Sequence, residues 1–331
     1  MDKLSGAAAD LDRAMGAASG SNADRIVNID FFAFGEILWD CLLSGKQAGG
    51  APFNVAAHLA QMGASAALIS SVGRDEPGDE ILGVARQKRV NVDFVTRARV
   101  GLPTGTVRVS IGQEGNATYE LVQPVAWDEI TVATDALEAV SNARALIYGS
   151  LAARSPYNLL QLDRLLRAKG PVKFFDVNLR PPFSDPALVM ELARRADVLK
   201  LNDDELGQLA RHMRTDAAVH HRLSGEEVIG RACEALADAT NVRRICVTRG
   251  DKGAAFWHNG ELTTAPAPRV EVKDTIGAGD AFMAALIVGL TNGTEMRKVL
   301  EDAARLGAFV ASHYGATPLL PSEITKPIHD G

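Results

Sequence analysis

The sequence predicts a doubly wound α/β fold, a mostly parallel sheet between helices, with a small β lid inserted into it. Three observations predict this. Short apolar runs alternate with helical patterns from Ile26 onward. Several runs, such as Ala67-Leu68-Ile69 and Ile245-Cys246-Val247, are continuously apolar, as in parallel strands covered on both faces. The stretch 106–122 instead alternates apolar and polar residues around Gly112-Gln113-Glu114-Gly115-Asn116, the pattern of a half-exposed hairpin.

The apolar runs place strands at Ile26–Phe34, Ala66–Val72, Ala145–Tyr148, Val172–Val177, Val198–Leu201 and Ile245–Thr248. Helical patterns fall between most of them, at Pro52–Met62, Glu80–Lys88, Tyr157–Ala168 and Glu226–Ala239. Residues 1–25, rich in Ala, Ser, Gly and Asp, read as a poorly ordered extension. The α/β domain takes 26–331, and the lid takes 41–48 and 104–123. A small sheet in this position is expected to cover a site at the carboxyl ends of the strands.

The 331 residues, 47% hydrophobic and 23% charged, allow a large soluble core. A net charge of −6 leaves no broad basic field for nucleic acid or a membrane surface. Cys41, Cys233 and Cys246 have neither metal-ligand nor disulfide spacing, which points to a reducing, cytoplasmic setting. No window has the apolar length of a membrane span, and the first residues lack a signal-peptide pattern.

The most informative run is Asp274-Thr275-Ile276-Gly277-Ala278-Gly279-Asp280-Ala281-Phe282, ahead of the apolar stretch Ala281 to Leu290. Glycines opening a buried helix expose N–H groups at its electropositive end, where phosphate binds. Asp280 at the rim of such an anion hole could take a proton from an attacking hydroxyl. Taken alone, the run fits equally an ordinary glycine turn followed by an N-terminal acid.

Other segments favour phosphoryl transfer. Gly49-Gly50-Ala51-Pro52-Phe53-Asn54 enters a second helix; Asn54 can offer its amide to a hydroxylated ligand or merely satisfy the helix end. His58 shares the Asn54 face and reads as a packed or surface residue. Asp40, following the first strand, could accept two sugar hydroxyls, with an ordinary exposed loop Asp as the plain alternative. Arg180, ending Asp176-Val177-Asn178-Leu179-Arg180, offers a planar fork for anionic oxygens. In Asn202-Asp203-Asp204-Glu205, the Asn and Glu could orient water around Mg²⁺, although helix capping explains such acids equally. Thr248-Arg249-Gly250-Asp251-Lys252-Gly253 is a strand-to-strand turn whose N–H groups could hold a nucleotide. There is no P-loop, no Gly-x-Gly-x-x-Gly after the first strand and no serine elbow. His220-His221 reads as a solvated connection.

Together these segments resemble the ribokinase-like (PfkB) carbohydrate kinases over Ile26 to about Pro321. Gly49 to Asn54 is similar to the family's N-terminal signature, and Asp274 to Phe282 to its C-terminal one. The resemblance implies that Asp280 is the catalytic base and that Gly277, Ala278 and Gly279 form the anion hole. It implies that Asp40, Gly50 and Asn54 grip sugar hydroxyls. Asn202 and Glu205 would serve Mg²⁺ and phosphates, and Thr248, Gly250 and Gly253 the nucleotide. Many members bind a monovalent cation such as K⁺; here Asp274 and Ile276 would contribute, with 310–315 closing the cage.

Phe34-Gly35-Glu36, Phe175 to Pro182 and Pro124 to Asp128 look most like bacterial fructokinases, and 2-keto-3-deoxygluconate kinases share much of this. The expected reaction is transfer of the ATP γ-phosphoryl group to a primary hydroxyl of a ketohexose, fructose first. An acid sugar would need Arg108 or Arg180 as its cationic partner. A nucleoside kinase on the same scaffold and a non-catalytic sugar sensor are the alternatives, and the sensor would have lost the base or the glycines. The lid strands offer an edge for a homodimer.

Overall fold

The computed structural model describes residues 29–42, 45–111, 117–214 and 225–329. The expected extension, the hairpin turn 112–116 and His220-His221 lie outside these residues. The chain begins with β1 (Phe31–Phe34), β2 (Leu38–Leu42), β3 (Gly45–Gly49), α1 (Ala51–Gln61), β4 (Ala66–Val72), α2 (Glu76–Gln87) and β5 (Val95–Arg97). It continues through β6 (Gly105–Ile111), β7 (Ala117–Leu121), α3 (Thr134–Ser141), β8 (Ala145–Gly149), α4 (Pro156–Leu166), β9 (Val172–Asp176), α5 (Pro186–Ala193) and β10 (Val198–Asn202). It closes with α6 (Asp203–His212), α7 (Glu226–Thr240), β11 (Arg244–Thr248), β12 (Ala254–His258), β13 (Glu261–Ala265), α8 (Ala278–Asn292), α9 (Met296–Ala311) and α10 (Ser322–His329).

Nine strands form the main sheet in the order β13-β12-β11-β10-β9-β8-β1-β4-β5. Every pair from β11 to β5 is parallel, and β12 turns back antiparallel at the edge. The continuous apolar runs have a direct cause. Phe31 and Ala33 of β1 join one buried layer with α1, α2, α8 and α9, whereas Phe32 and Phe34 join the opposite layer with α3 to α7. Alternate side chains of a strand face opposite sides, so a sheet covered on both faces needs apolar residues at every position.

Helix ends follow local chemistry. α2 begins at Glu76, four residues ahead of the expected Glu80, because Asp75 caps it by accepting from the Gly78 N–H at 3.0 Å. The apolar periodicity marks only the buried part of the helix.

A second sheet has the order β3-β2-β6-β7. It starts at Leu38 rather than Cys41, so Asp40 lies on β2, paired with Gln47 of β3 and Val107 of β6. Trp39 on β2 donates from Nε1 to the Pro77 carbonyl at 3.0 Å, with Lys46 4.7 Å over its ring. At the root of this sheet Gly105 packs edge-on to buried Trp127; a methyl on Gly105 would lie 2.5 Å from Trp127 Cδ1. Arg154 stacks between Trp127 at 4.0 Å and Phe183 at 4.4 Å, and its Nε donates to Asp128 Oδ1 at 2.9 Å.

Candidate active site

Residues following β1, β8, β9 and β10 converge with the first turns of α1, α6 and α8. Gly277 caps α8 in the left-handed region, at φ 79°. The Ala316 backbone lies against its Cα, so a methyl there would fall 2.6 Å from Ala316 Cα. Only glycine meets both demands. Among the described residues no protein acceptor takes the Gly277 or Gly279 N–H, whereas that of Ala278 donates to the Thr275 carbonyl at 3.3 Å. Two of the three expected anion-hole donors are therefore open.

Asp280, in the first turn of α8, is 7% exposed and accepts from Asn54 Nδ2 at 2.8 Å. Burial pushes its carboxyl above the ordinary range and the charge of Asp176 adds to this, against Asn54, Lys200 and Arg180. Asn54 is itself buried, and its Oδ1 has no protein partner. It reaches this position because α1 starts at Gly50, whose φ of 108° lets the chain pass against the Glu36 backbone; a methyl there would lie 2.5 Å from the Glu36 carbonyl oxygen.

Five carboxylates gather here: Glu36, Asp40, Asp176, Glu205 and Asp280. Burial raises Glu36 to about 7 and Asp40 to about 6, with Arg180 opposing both shifts. Lys200, on β10, donates to both oxygens of Asp176, at 2.9 and 2.8 Å. Burial works against its charge, but Asp176 outweighs burial and the Lys200 pKa is raised. A methyl on Gly279 would lie 3.3 Å from Lys200 Nζ, so this cation sits beside Gly279.

Neither Lys200 nor Glu36 was assigned a role from sequence. The available signals were a lone lysine inside the apolar Val198-Leu199-Lys200-Leu201 strand and an acid directly after β1. Asp176 was visible only as the start of the segment carrying Arg180.

Other expected residues fall at the same end of the sheet, with distinctions. Glu205 and Asn202 form a reciprocal cap: Asn202 Oδ1 accepts from the Glu205 N–H and Glu205 Oε2 from the Asn202 N–H, both at 2.8 Å. Glu205 Oε1 accepts from the Leu179 N–H at 2.7 Å. Each oxygen keeps further acceptor capacity. Burial, supported by Asp176, raises the Glu205 pKa. Thr248 is the register neighbour of Asn202. Gly250 is exposed, whereas Gly253 is buried, donates to the Gly250 carbonyl at 3.1 Å and packs against Pro266. The Gly253 amide is thus engaged within its turn.

The Asp274 carboxylate accepts from Ile276 N–H at 3.0 Å and Gly315 N–H at 3.2 Å, tying together the two segments expected around a monovalent cation. Arg180 is exposed, and its charge reaches Glu36, Asp40 and Asp280. Arg108 lies on β6 between Cys41 and Glu120; its side chain is outside the described residues.

The residues suit a divalent cation held mainly by phosphates. Among the described residues five carboxylates are opposed by Lys200 and Arg180, a negative excess that an anionic phosphate would otherwise worsen. No group of three or more His, Cys, Asp or Glu among the described residues forms a protein cage, as expected where Mg²⁺ keeps water and phosphate ligands.

Comparison with known proteins agrees with this geometry. The family model described as pfkB family carbohydrate kinase matches residues 23–323. Fructokinase-2 of Zea mays is 29% identical over 301 residues, covering 85% of this chain and 84% of the relative. Probable fructokinase-4 of Arabidopsis thaliana is 28% identical, covering 93% and 97%. The fold matches Xylella fastidiosa fructokinase with bound ATP, at a TM-score of 0.76, 22% identity and coverage of 92% and 99%. It matches 2-dehydro-3-deoxygluconokinase of Thermotoga maritima with the same TM-score, 21% identity and coverage of 92% and 100%. A parallel sheet with a glycine-opened helix and a buried acid at its carboxyl end is thus accompanied by a family match over nearly the whole length, and the chain belongs to the pfkB family of carbohydrate kinases.

Proposed function

We propose that the protein transfers the γ-phosphoryl group of ATP to a primary hydroxyl of a ketohexose, with fructose as the preferred acceptor. One observation carries the reading: buried Asp280 is held by Asn54 at 2.8 Å beside two N–H groups without protein acceptors. The carboxylate takes the hydroxyl proton. The N–H groups of Gly277 and Gly279 meet the phosphoryl oxygens, and Lys200 lies beside Gly279. Asn54 Oδ1 and the Asp40 carboxylate accept sugar hydroxyls. Glu205 would help to hold Mg²⁺, which when bound would supply neutralisation of the phosphate charge. Asp274 and Ile276 belong to a segment suited to K⁺.

The crowding of carboxylates favours a neutral acceptor, because an acid sugar would add charge to an already negative site. The exposed guanidinium of Arg180 is a feature that favours 2-keto-3-deoxygluconate. The smaller sheet acts as a lid that excludes water, so that ATP is not lost to hydrolysis. Its outer edge is the proposed homodimer contact. No helix among the described residues is long and apolar enough to cross a membrane, and the use of ATP is consistent with the cytoplasmic setting that we propose.

A coupled ATP-consumption assay over fructose, 2-keto-3-deoxygluconate and nucleosides tests the reading. Fastest turnover is expected with fructose, and chelation of Mg²⁺ should abolish it. Faster phosphorylation of either alternative would reassign the substrate. Sugar-induced thermal stabilisation without ADP release would make the protein a sensor instead.

A further inference from the structure

α1 is buried almost throughout, yet it carries a polar stripe at Asn54, His58 and Gln61, spaced i, i+4 and i+7 on one face. Asn54 holds Asp280. His58, fully buried, binds the Ala316 carbonyl through Nε2 at 3.0 Å. A carbonyl only accepts, so Nε2 carries the proton, and Nδ1 is left buried without a partner. Gln61 donates to the Pro318 carbonyl at 3.2 Å and accepts from the Leu320 N–H at 3.0 Å. Lys88, from α2, donates to the Thr317 carbonyl at 2.9 Å. The segment 316–320 is therefore pinned along α1, and its first residue is the one pressed against Gly277.

We infer that His58 is a positioning residue for the anion hole: through the Ala316 carbonyl it holds 315–316 against Gly277 and so fixes the aim of the Gly277 and Gly279 N–H groups. One helix face then sets both halves of the chemistry, the base through Asn54 and the phosphoryl donors through His58. The Ala316 carbonyl fixes the Nε2–H tautomer. Burial, with the nearby Lys88 charge opposing protonation, pushes His58 down to about 4, so the imidazole is neutral at neutral pH.

This inference rests on the kinase reading for its catalytic consequence but not for its structural one, and the test separates them. Hydrogen exchange of the ligand-free protein needs no substrate. His58→Leu should raise exchange in both 274–282 and 313–320. His58→Gln, which can still donate to Ala316, should restore wild-type exchange. Gln61→Leu should loosen 313–320 alone and leave kcat near wild type. In the kinetic arm His58→Leu should lower kcat about 10- to 100-fold, as expected for displaced donors, with sugar KM within about twofold because Asn54 is untouched. Should H58L fail to fold, H58N, polar but too short to reach Ala316, is expected to give the same exchange pattern. For His58→Leu, loosening of 313–320 without change in 274–282, or an unchanged kcat, would overturn the inference. Absence of turnover by the wild type with every sugar would remove the kinase reading and leave the exchange comparison intact.

Discussion

Asn54 and Asp280 stand 226 positions apart in sequence and meet in a buried hydrogen bond of 2.8 Å. The contact joins the start of α1 to the start of α8, so the proposed acceptor and phosphoryl sides of the site are fixed to each other. It also orients the carboxylate, since Asn54 Nδ2 takes one oxygen and leaves the other for a hydroxyl proton. Asp280→Asn should lower kcat roughly 10²- to 10⁴-fold, the range for loss of a general base, with ATP binding retained. Isothermal titration and steady-state assays separate the two effects. Turnover within tenfold of wild type would remove Asp280 from the role of base.

The acid limb of the rate profile carries a signature. Because the Asp280 pKa is raised by burial and by Asp176, kcat/KM should begin to fall at a pH above the ordinary aspartate value of about 3.9. Asp176→Asn removes the negative neighbour and leaves the positive Lys200, and both changes move the limb to lower pH. A limb that stays in place would show that Asp280 does not govern it.

How much of this was legible beforehand depends on the element. The strand Ala66–Val72 could be read to the residue because both its faces are buried. The entry to α8 was equally plain: its two glycines and acid have no apolar alternative. The start of the small sheet was set three residues late, at Cys41, because Leu-Trp-Asp-Cys-Leu does not stand out as a strand until β6 is known to pair with it. Lys200 was invisible for another reason. Its meaning lies in Asp176 on the neighbouring strand, a contact that only the register of β9 and β10 creates.

Lys200→Met tests that contact. It leaves the Asp176 carboxylate buried, 4% exposed, without its cation, a loss that typically costs about 3–5 kcal/mol. Thermal unfolding should register a drop of that size. The double variant with Asp176→Leu should recover much of it, since an apolar pair of similar volume has no charge to bury.

Glu36 makes stability depend on pH in a definite direction. Its pKa in the folded protein is about 7, against an ordinary 4.5. Its stabilising contribution is therefore fully present below about pH 4.5 and is lost as pH rises through 7. Glu36→Gln cannot ionise and can still accept from the Ala51 N–H that Glu36 holds at 3.2 Å. The variant should gain on wild type between pH 4.5 and 8, by on the order of 3 kcal/mol. Melting temperatures at the two pH values decide it: a constant difference would show that Glu36 is not protonated in the folded state.

The two open glycines should respond differently to a methyl group. Gly277→Ala meets both a left-handed φ and the Ala316 backbone, and should lose stability by about 1–3 kcal/mol together with most activity. Gly279→Ala meets only Lys200 Nζ at 3.3 Å, so its melting temperature should stay closer to wild type while kcat falls. Equal destabilisation of the two variants would contradict the assigned packing.

The seating of Gly105 on Trp127 gives the molecule a native optical gauge. Of the three tryptophans, Trp39 rides on the small sheet, Trp127 sits under its root against Arg154, and Trp257 is remote on β12. Any displacement of that sheet changes the surroundings of the first two indoles and not the third. Intrinsic fluorescence, with the double variant Trp39→Phe, Trp127→Phe as the silent reference, should therefore report any movement of the small sheet during turnover without an attached dye.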